Sequence, residues 1–234
     1  MLKFLIIFLS GAGLLACSSV TTLSVQSAPI PVTANYEKEN SVDSMVAPYK
    51  VALEAEMNEV IASAPNDFTR GRPNGSLNNW AADVVLNAVK DSLGQEKSVM
   101  SLLNFGGLRN SLNQGDIALK DIFQLMPFDN EIVIVEMPLE AMPEIEIYLK
   151  ASGGEPIGGA RIVEGKLILD ELKSGQTSFF IVTSDYLFNG GDKMDFFQKN
   201  LNVVHTGILI RDAMIVAAKE QGELWWNEDE RIGF

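Results

Sequence analysis

The sequence predicts an α+β fold, a single domain in which a mixed sheet packs against helices. Apolar residues recur at helical spacing in two early segments, and apolar β-branched runs typical of strands follow. These elements succeed one another without the strict strand–helix alternation of a doubly wound sheet. The chain has 234 residues, of which 47% are hydrophobic, so it can bury one large core.

Residues 1–16 are typical of a bacterial lipoprotein signal peptide. Lys3 precedes the apolar stretch 4–15, which is short for a membrane span, and small residues lead into Cys17, the chain's one cysteine. This placement resembles a lipobox, which implies cleavage before Cys17 and lipid attachment at that residue. The alternative is an incidental or buried thiol.

We therefore divide the chain into a leader over residues 1–16, a flexible tether over 17–42 and a folded domain over 43–234. The tether is rich in Ser, Thr, Pro and Asn. The lipid would hold the domain at the membrane of the bacterial cell envelope, and we expect the periplasmic side of the outer membrane.

Composition limits the classes of partner. The formal net charge of −13 argues against a nucleic-acid partner, because binding to a phosphate backbone depends on neutralisation by Lys and Arg. A small anionic ligand is compatible with this charge if the few arginines converge locally. The lone cysteine excludes an intramolecular disulfide and Cys-based zinc sites.

Two helices are predicted before the first strand. An amphipathic helix behind an Asp43 cap is predicted by the helical spacing of Met45, Val46, Tyr49, Leu53 and Met57. We expect its apolar face to lie in the core, and an interface is the alternative. A second helix is predicted from Leu77 to about Ser92, capped by Ser76. Its predicted buried stripe consists of Leu77, Trp80, Ala81, Val84, Val85 and Ala88.

Strands and short helices fill the rest of the domain. The β-branched run Glu131–Met137 predicts a strand covered on both faces, and Pro143 suits the first turn of a helix ending near Leu149. A short element is predicted from Gly115 to Leu125. Further strand candidates are Val99–Leu103, Arg161–Val163, Leu167–Leu169 and Phe179–Val182.

Two loops carry residues suited to an anionic ligand. The loop Asn104–Arg109 places two glycines, which admit close backbone approach, beside a guanidinium fork. Arg70 and Arg72 precede the second helix, whose amino terminus favours anions. A plain turn and solvated loop arginines are the alternatives for these two segments.

Three motifs together resemble the carboxy-terminal domain of 5'-nucleotidases. They are Asn-x-Gly-Gly-x-Arg from Asn104, Pro-Phe-x-Asn from Pro127, and an aromatic residue six positions before Asp192 in Asn-Gly-Gly-Asp. Their order and approximate spacing match, and the resemblance covers about residues 60–218. It implies a domain that binds a nucleoside 5'-phosphate or a nucleoside.

The resemblance implies a role for each matching residue. Phe128 and Tyr186 match the two rings that sandwich the base, and Asn130 matches a contact to the base. Asp192 matches the acid that accepts hydrogen bonds from the ribose. The remaining matches are Gly159 for a backbone contact to the base, Asn104 and Arg109 for the phosphate-side loop, and Arg72 and Arg70 for further phosphate arginines.

The chain departs from the family pattern at two points. Tyr186 stands where phenylalanine is usual, and Lys193-Met194 replaces the usual Gly-aromatic continuation after Asp192. Ordinary core packing is the alternative for each aromatic residue taken alone.

Family members hydrolyse phosphate esters with two metal ions held by a separate amino-terminal domain. This chain has one histidine, His205, among apolar residues, so we expect no cofactor in this chain and divalent metals on a partner chain. We therefore interpret the chain as the substrate-binding half of a split 5'-nucleotidase, completed by a metallophosphatase protein. The alternative is a non-catalytic lipoprotein that binds nucleotides or nucleosides.

Overall fold

A computed structural model describes residues 40–93, 97–172 and 174–234. Cys17, the predicted leader and residues 17–39 of the predicted tether lie outside this range. Within the described residues, Val46–Phe234 form one compact unit, which contains the sheets and the core. Across the part that is described, no helix is long and apolar enough to cross a membrane.

The described residues form helices and strands in mixed order. The helices are α1 (Asn40–Met57), α2 (Ser76–Ala88), α3 (Leu119–Leu125), α4 (Met142–Ser152), α5 (Asp185–Phe188) and α6 (Ile210–Gln221). The strands are β1 (Val60–Ala64), β2 (Val99–Leu102), β3 (Gly115–Ala118), β4 (Glu131–Pro138), β5 (Ile157–Gly158), β6 (Ala160–Val163), β7 (Lys166–Leu169), β8 (Ser178–Ser184) and β9 (Asn202–Leu209). The predicted α+β class is confirmed.

A mixed sheet in the order β5-β2-β8-β4-β9 forms the centre of the fold. Strands β2 and β8 run parallel, and the other neighbouring pairs are antiparallel. Two smaller antiparallel pairs, β1 with β3 and β6 with β7, accompany it.

Both faces of the sheet are covered, and β4 shows this most clearly. Ile132 and Ile134 belong to a core cluster with residues of α2, α3 and α6, whereas Val133 and Val135 belong to a second cluster with residues of α4. Successive side chains of a strand point to opposite faces, so a strand buried on both faces needs apolar residues throughout. The two-sided burial predicted for this run is confirmed.

The prediction for α1 is wrong in two respects. The helix begins at Asn40, three residues before the predicted cap, so Asp43 lies in its first turn. Val46, Tyr49 and Leu53 are exposed rather than packed in the core, whereas Met57 at the end of the helix packs against a core cluster. Helical periodicity identifies an apolar face but carries no information about what covers it.

The predicted stripe of α2 is largely confirmed, because Leu77, Trp80 and Val85 are fully buried. The predicted cap is wrong. Gly75 occupies the cap position, and the hydroxyl of Ser76 instead accepts a hydrogen bond from the Thr69 backbone N–H at 2.8 Å. The α-helix ends at Ala88, before the predicted Ser92, and a short 3-10 turn follows.

Candidate functional site

Three loops meet at one end of the three inner strands of the central sheet. Because β2 and β8 are parallel, their carboxyl ends lie together, with Ser101 opposite Val182. Strand β4 is antiparallel to β8 and pairs Ile132 with Ser184, so β4 begins where β8 ends. The loop after β2, the loop before β4 and the turn after β8 are therefore neighbours.

These loops enclose a cavity of about 580 Å³. This volume lies in the range of pockets that hold small molecules. The lining residues are Asn104, Gly106, Gly107, Arg109, Pro127, Phe128, Asp129, Asn130, Tyr186 and Asp192. Six of the nine binding residues predicted from the sequence thus line one pocket.

Two aromatic rings lie in the wall of this pocket with much of their surface exposed. Phe128 is 41% exposed and Tyr186 is 46% exposed, which is unusual for large apolar side chains and leaves ring surface for a ligand. The Tyr186 ring lies directly on the backbone of Gly191, where an added Cβ would be 2.4 Å from the ring. Glycine at this position therefore allows the ring to lie against the loop.

A carboxylate holds the loop before β4 against the end of β8. Asp185 Oδ1 accepts hydrogen bonds from Asn130 Nδ2 at 3.1 Å, from the Glu131 backbone N–H at 3.2 Å and from the Tyr186 backbone N–H at 2.8 Å. Arg211 also holds this loop, because it pairs with Asp129 and donates to the Phe128 carbonyl. Phe128 and Asn130 are thereby fixed relative to Tyr186.

Asp192 joins the turn after β8 to the glycine loop Asn104–Arg109 that follows β2. Tyr186 Oη donates to Asp192 Oδ1 at 2.9 Å, and Asn104 Nδ2 donates to Asp192 Oδ2 at 2.6 Å. A Cβ added at Gly107 would lie 2.6 Å from Asn104 Oδ1, so glycine at this position leaves room for the Asn104 side chain.

Arg109 is the cation of the pocket. It is exposed, and its Nη1 lies 3.4 Å from the carbonyl oxygen of Gly106. Within the described ranges, no carboxylate lies within ion-pair distance of its guanidinium. The guanidinium can therefore bind an anion without first breaking an ion pair.

Arg70 and Arg72 lie behind the glycine loop rather than in the pocket wall. Their guanidinium carbons are 4.9 and 4.6 Å from the centroid of the Phe105 ring. Arg70 also donates to the Leu108 carbonyl, and Arg72 Nη2 donates to Glu155 Oε1 at 2.7 Å. The two arginines support the loop that carries Arg109.

Gly159 is not in the pocket lining, so the predicted backbone contact to a base has no geometric support. A Cβ at this position would lie 2.6 Å from the Val99 carbonyl oxygen and 3.1 Å from Leu86. The glycine is therefore required by close packing against β2. Its φ of +67° also favours glycine.

Two residues that support the site were not identified from the sequence. Tyr148 on α4 donates from its hydroxyl to the Asp192 carbonyl oxygen at 3.1 Å, and burial raises its pKa to about 12, so it stays protonated. Glu155 is almost fully buried and accepts from the Phe105 N–H at 2.5 Å through Oε2. Burial raises the pKa of Glu155. The sequence offered one signal for Glu155, which is a charged residue inside the glycine-rich segment 153–159.

The described residues do not fit a dimetal centre. No group of three His, Cys, Asp or Glu side chains converges within them. His205 lies on the edge strand β9, and its Nδ1 is 2.8 Å from Oε2 of Glu131 on the neighbouring strand β4.

A second cavity, of about 610 Å³, lies between α2 and α6. Its walls include Val84, Val216 and Trp225, and none of the binding residues predicted from the sequence. Arginine is absent from its lining, so it does not offer a cation for a phosphate.

Residues 59–138 match the family model of the 5'-nucleotidase C-terminal domain. Endonuclease YhcR from Bacillus subtilis (strain 168) is 28% identical over 112 residues, which is 47% of this chain and 9% of that protein. This chain thus spans a small part of that relative.

Solved structures show the same fold. A 5'-nucleotidase precursor from Thermus thermophilus aligns with a TM-score of 0.66 and 20% identity, covering 83% of this chain and 43% of that one. The NAD nucleotidase NadN from Haemophilus influenzae aligns with a TM-score of 0.62 and 16% identity, covering 83% and 41%. This chain spans less than half of either protein. In fold, and in sequence over residues 59–138, the chain resembles the carboxy-terminal domain of 5'-nucleotidases.

Proposed function

We propose that this chain is the nucleotide-binding half of a split 5'-nucleotidase. It would bind a nucleoside 5'-phosphate and orient it for hydrolysis by a separate dimetal phosphatase chain. The observation that supports this most is the meeting of two exposed rings, a carboxylate and an exposed arginine in one pocket of about 580 Å³. Each of these groups suits one part of a nucleotide.

The base would lie against Phe128 and Tyr186. Stacking of a base on an aromatic side chain contributes about 1 to 3 kcal/mol in single-strand recognition, and it tolerates different bases. Asn130 would contact the edge of the base, and its amide is already oriented by Asp185. Asp192 would accept hydrogen bonds from the sugar hydroxyls.

The phosphate would bind at the glycine loop. Arg109 offers a planar fork that matches phosphate oxygens, and the adjacent Gly106 leaves the backbone open to close approach. Arg70 and Arg72 would add positive potential from behind this loop, although the charge of Arg72 is already partly offset by Glu155. In a chain of net charge −13, this local concentration of arginine favours an anion.

The contribution of this chain to catalysis would be orientation. Holding a substrate in a reactive geometry removes much of the entropic barrier of a reaction. Hydrolysis itself would require metal ligands that the described residues do not assemble, which is why we assign the metals to a partner. Alone, the chain is expected to bind nucleotide without hydrolysing it.

Calorimetric titration of the purified chain with AMP tests the binding function. We expect a dissociation constant between about 10 μM and 1 mM, and a loss of at least about tenfold in Arg109→Ala. Arg161→Ala is the matched control, because Arg161 is exposed outside the pocket beside Asp170. The absence of AMP binding by the unaltered chain, or equal loss in both variants, would contradict the proposal.

Phosphate release from AMP tests the split enzyme. We expect none from this chain with Mn²⁺ or Zn²⁺, and release when a metallophosphatase-domain protein encoded beside it is added. Release should fall with Arg109→Ala in the mixture. AMP binding without release in the mixture would favour the non-catalytic binding lipoprotein instead.

We further propose that lipid at Cys17 anchors the protein to the bacterial cell envelope. The proposal rests on the small residues and the apolar stretch that precede this cysteine. Cys17→Ser should move the protein from the membrane fraction to the soluble fraction. Retention of the variant in the membrane would contradict a lipid anchor at this residue.

A further inference from the structure

Asp192 is fixed by hydrogen bonds from three elements of the fold. Tyr186 and Asn104 each donate to one of its carboxylate oxygens, at 2.9 and 2.6 Å. Tyr148 donates to its backbone carbonyl at 3.1 Å. The side chain and the main chain of Asp192 are therefore both held by contacts within the protein.

The backbone of Asp192 also shows that its position is specified. Its φ of 51° and ψ of 22° lie in the left-handed region, and Lys193 follows with a φ of 63°. Aspartate adopts this conformation more readily than most residues, whereas lysine adopts it at a cost in free energy, so two such residues in succession indicate a turn that is held by its contacts. Here the contacts are the hydrogen bonds from Tyr148 and from the pocket side chains.

The hydrogen bonds leave a defined acceptor pattern. An ionised carboxylate has about four lone-pair sites, two on each oxygen. Tyr186 occupies one site on Oδ1, and Asn104 occupies one on Oδ2. With the donors that the described residues supply, one acceptor site remains on each oxygen, and two adjacent acceptors suit the two hydroxyls of a vicinal diol.

The hydroxyl of Tyr186 is what distinguishes this arrangement from one built on phenylalanine. Phenylalanine would retain the ring on Gly191 but would leave Oδ1 without its donor. The hydrogen bond to Asp192 raises the pKa of Tyr186, so the hydroxyl remains a donor at neutral pH. The ring and the hydroxyl can therefore be tested separately.

Resting on the nucleotide-binding function proposed above, we infer that the Tyr186 hydroxyl is a positioning group that makes the pocket selective for ribonucleotides. By donating to Oδ1, it holds the Asp192 carboxylate so that both free acceptor sites face the sugar. A 2'-deoxyribonucleotide offers one hydroxyl to these two sites and leaves one acceptor without its partner, which is unfavourable. Tyr186 would thus act on sugar choice through Asp192 as well as on the base through its ring.

The test compares AMP with 2'-deoxy-AMP in calorimetric titrations of the full chain. For the unaltered protein we expect AMP to bind about tenfold more tightly, as one hydrogen bond to a charged group predicts. In Tyr186→Phe this ratio should fall at least about threefold. A role of Tyr186 in packing alone would weaken both ligands by the same factor and leave the ratio unchanged.

Tyr148→Phe provides the matched control. It removes the same chemical group from a hydrogen bond to the same residue, but the bond is to the Asp192 carbonyl and not to the carboxylate. Because both carboxylate oxygens of Asp192 keep their donors in this variant, we expect any loss of affinity to be similar for AMP and 2'-deoxy-AMP, so that their ratio stays within about twofold of that of the unaltered chain. An equal collapse of the ratio in both variants would overturn the assignment to the Tyr186 hydroxyl.

The outcomes separate this inference from the proposed function. If the unaltered chain binds neither nucleotide, the binding function fails and the inference fails with it. If it binds both equally, or if Tyr186→Phe keeps the full preference for AMP, nucleotide binding stands and the role of the hydroxyl is wrong. A reduced ratio in Tyr186→Phe with a retained ratio in Tyr148→Phe supports the inference.

Discussion

Arg231 and Asp83, which are 148 residues apart in the sequence, form a bidentate ion pair. Arg231 Nη1 donates to Asp83 Oδ1 at 2.8 Å, and Nη2 donates to Oδ2 at 2.7 Å. Nη1 also donates to the Ile157 carbonyl, and Arg231 is almost fully buried. The carboxy-terminal segment is thereby fastened to α2 and to β5.

We expect Arg231→Ala to lower the free energy of unfolding by about 3 kcal/mol, because it leaves a partly buried carboxylate without its partner. Arg161→Ala should cost less than about 1 kcal/mol, since Arg161 and Asp170 are both about half exposed and 3.9 Å apart. Chemical denaturation of both variants measures the difference. Equal stabilities would show that the buried pair contributes no more than a surface pair.

Gly191→Ala should impair AMP binding without unfolding the domain. The new Cβ would lie 2.4 Å from the Tyr186 ring, so the ring must move, while the backbone at Gly191 is not in the left-handed region. We expect affinity for AMP to fall about tenfold or more, as the loss of one stacking face predicts.

Gly233→Ala is the control for this steric effect, because its new Cβ would meet only the Ile162 carbonyl oxygen at an ordinary 3.6 Å. Calorimetry gives the affinities, and thermal unfolding reports whether either variant is destabilised. Unchanged AMP binding in Gly191→Ala would mean that the position of the Tyr186 ring does not matter for the ligand.

The stability of the domain should fall in acid partly through Glu136. Its carboxylate accepts hydrogen bonds from Lys97 and from Ser178, and these lower its pKa. A carboxyl group with a lowered folded-state pKa stabilises the protein above its unfolded pKa and loses that contribution as pH falls through the folded value. The loss therefore occurs below about pH 4.5.

Unfolding measurements between pH 3 and 7 on Glu136→Gln test this assignment. The variant should be less stable at pH 7 by about 1 kcal/mol and should approach the unaltered protein at pH 3. A constant difference across the range would show that the ionisation of Glu136 is not responsible.

Glu155→Ala should weaken both the fold and the glycine loop. It removes the acceptor of the Phe105 N–H and the partner of Arg72, so we expect a loss of about 2 kcal/mol in unfolding free energy and weaker AMP binding. Burial raises the pKa of Glu155, which is the opposite sign from Glu136. Between the unfolded-state pKa and the higher folded-state pKa, the unaltered protein should lose stability as the pH rises, because the buried carboxyl group resists ionisation. Glu155→Gln cannot ionise, so this loss should be absent from the variant.

Chemical denaturation at pH 4 and pH 7 and titration with AMP measure these effects. Glu144→Ala is a control, because its carboxylate pairs with Lys199 at an exposed position outside the pocket. Unaltered AMP affinity in Glu155→Ala would mean that the support of Phe105 and Arg72 does not reach the binding loop.

The sequence predicts those parts of the fold and site that depend on local pattern. The β-branched run of β4 implied two-sided burial, which the structure has. The resemblance to 5'-nucleotidases, rather than local pattern, implied one site for Phe128, Tyr186 and Asp192, and the three residues line one pocket. The burial of α1 was predicted wrongly, because an apolar stripe looks the same whether or not another element covers it. Tyr148 and Glu155 could not be assigned, since their partners lie 44 and 50 residues away in sequence.

The parallel pairing of β2 with β8 has a consequence for folding thermodynamics. The residues opposite each other in this pair, such as Ser101 and Val182, are far apart in the chain, so the pocket forms only when the domain closes this long-range contact. A nucleotide should then have no affinity for the unfolded chain. Its binding would stabilise the domain by mass action, by about 2.7 kcal/mol at a ligand concentration one hundred times the dissociation constant.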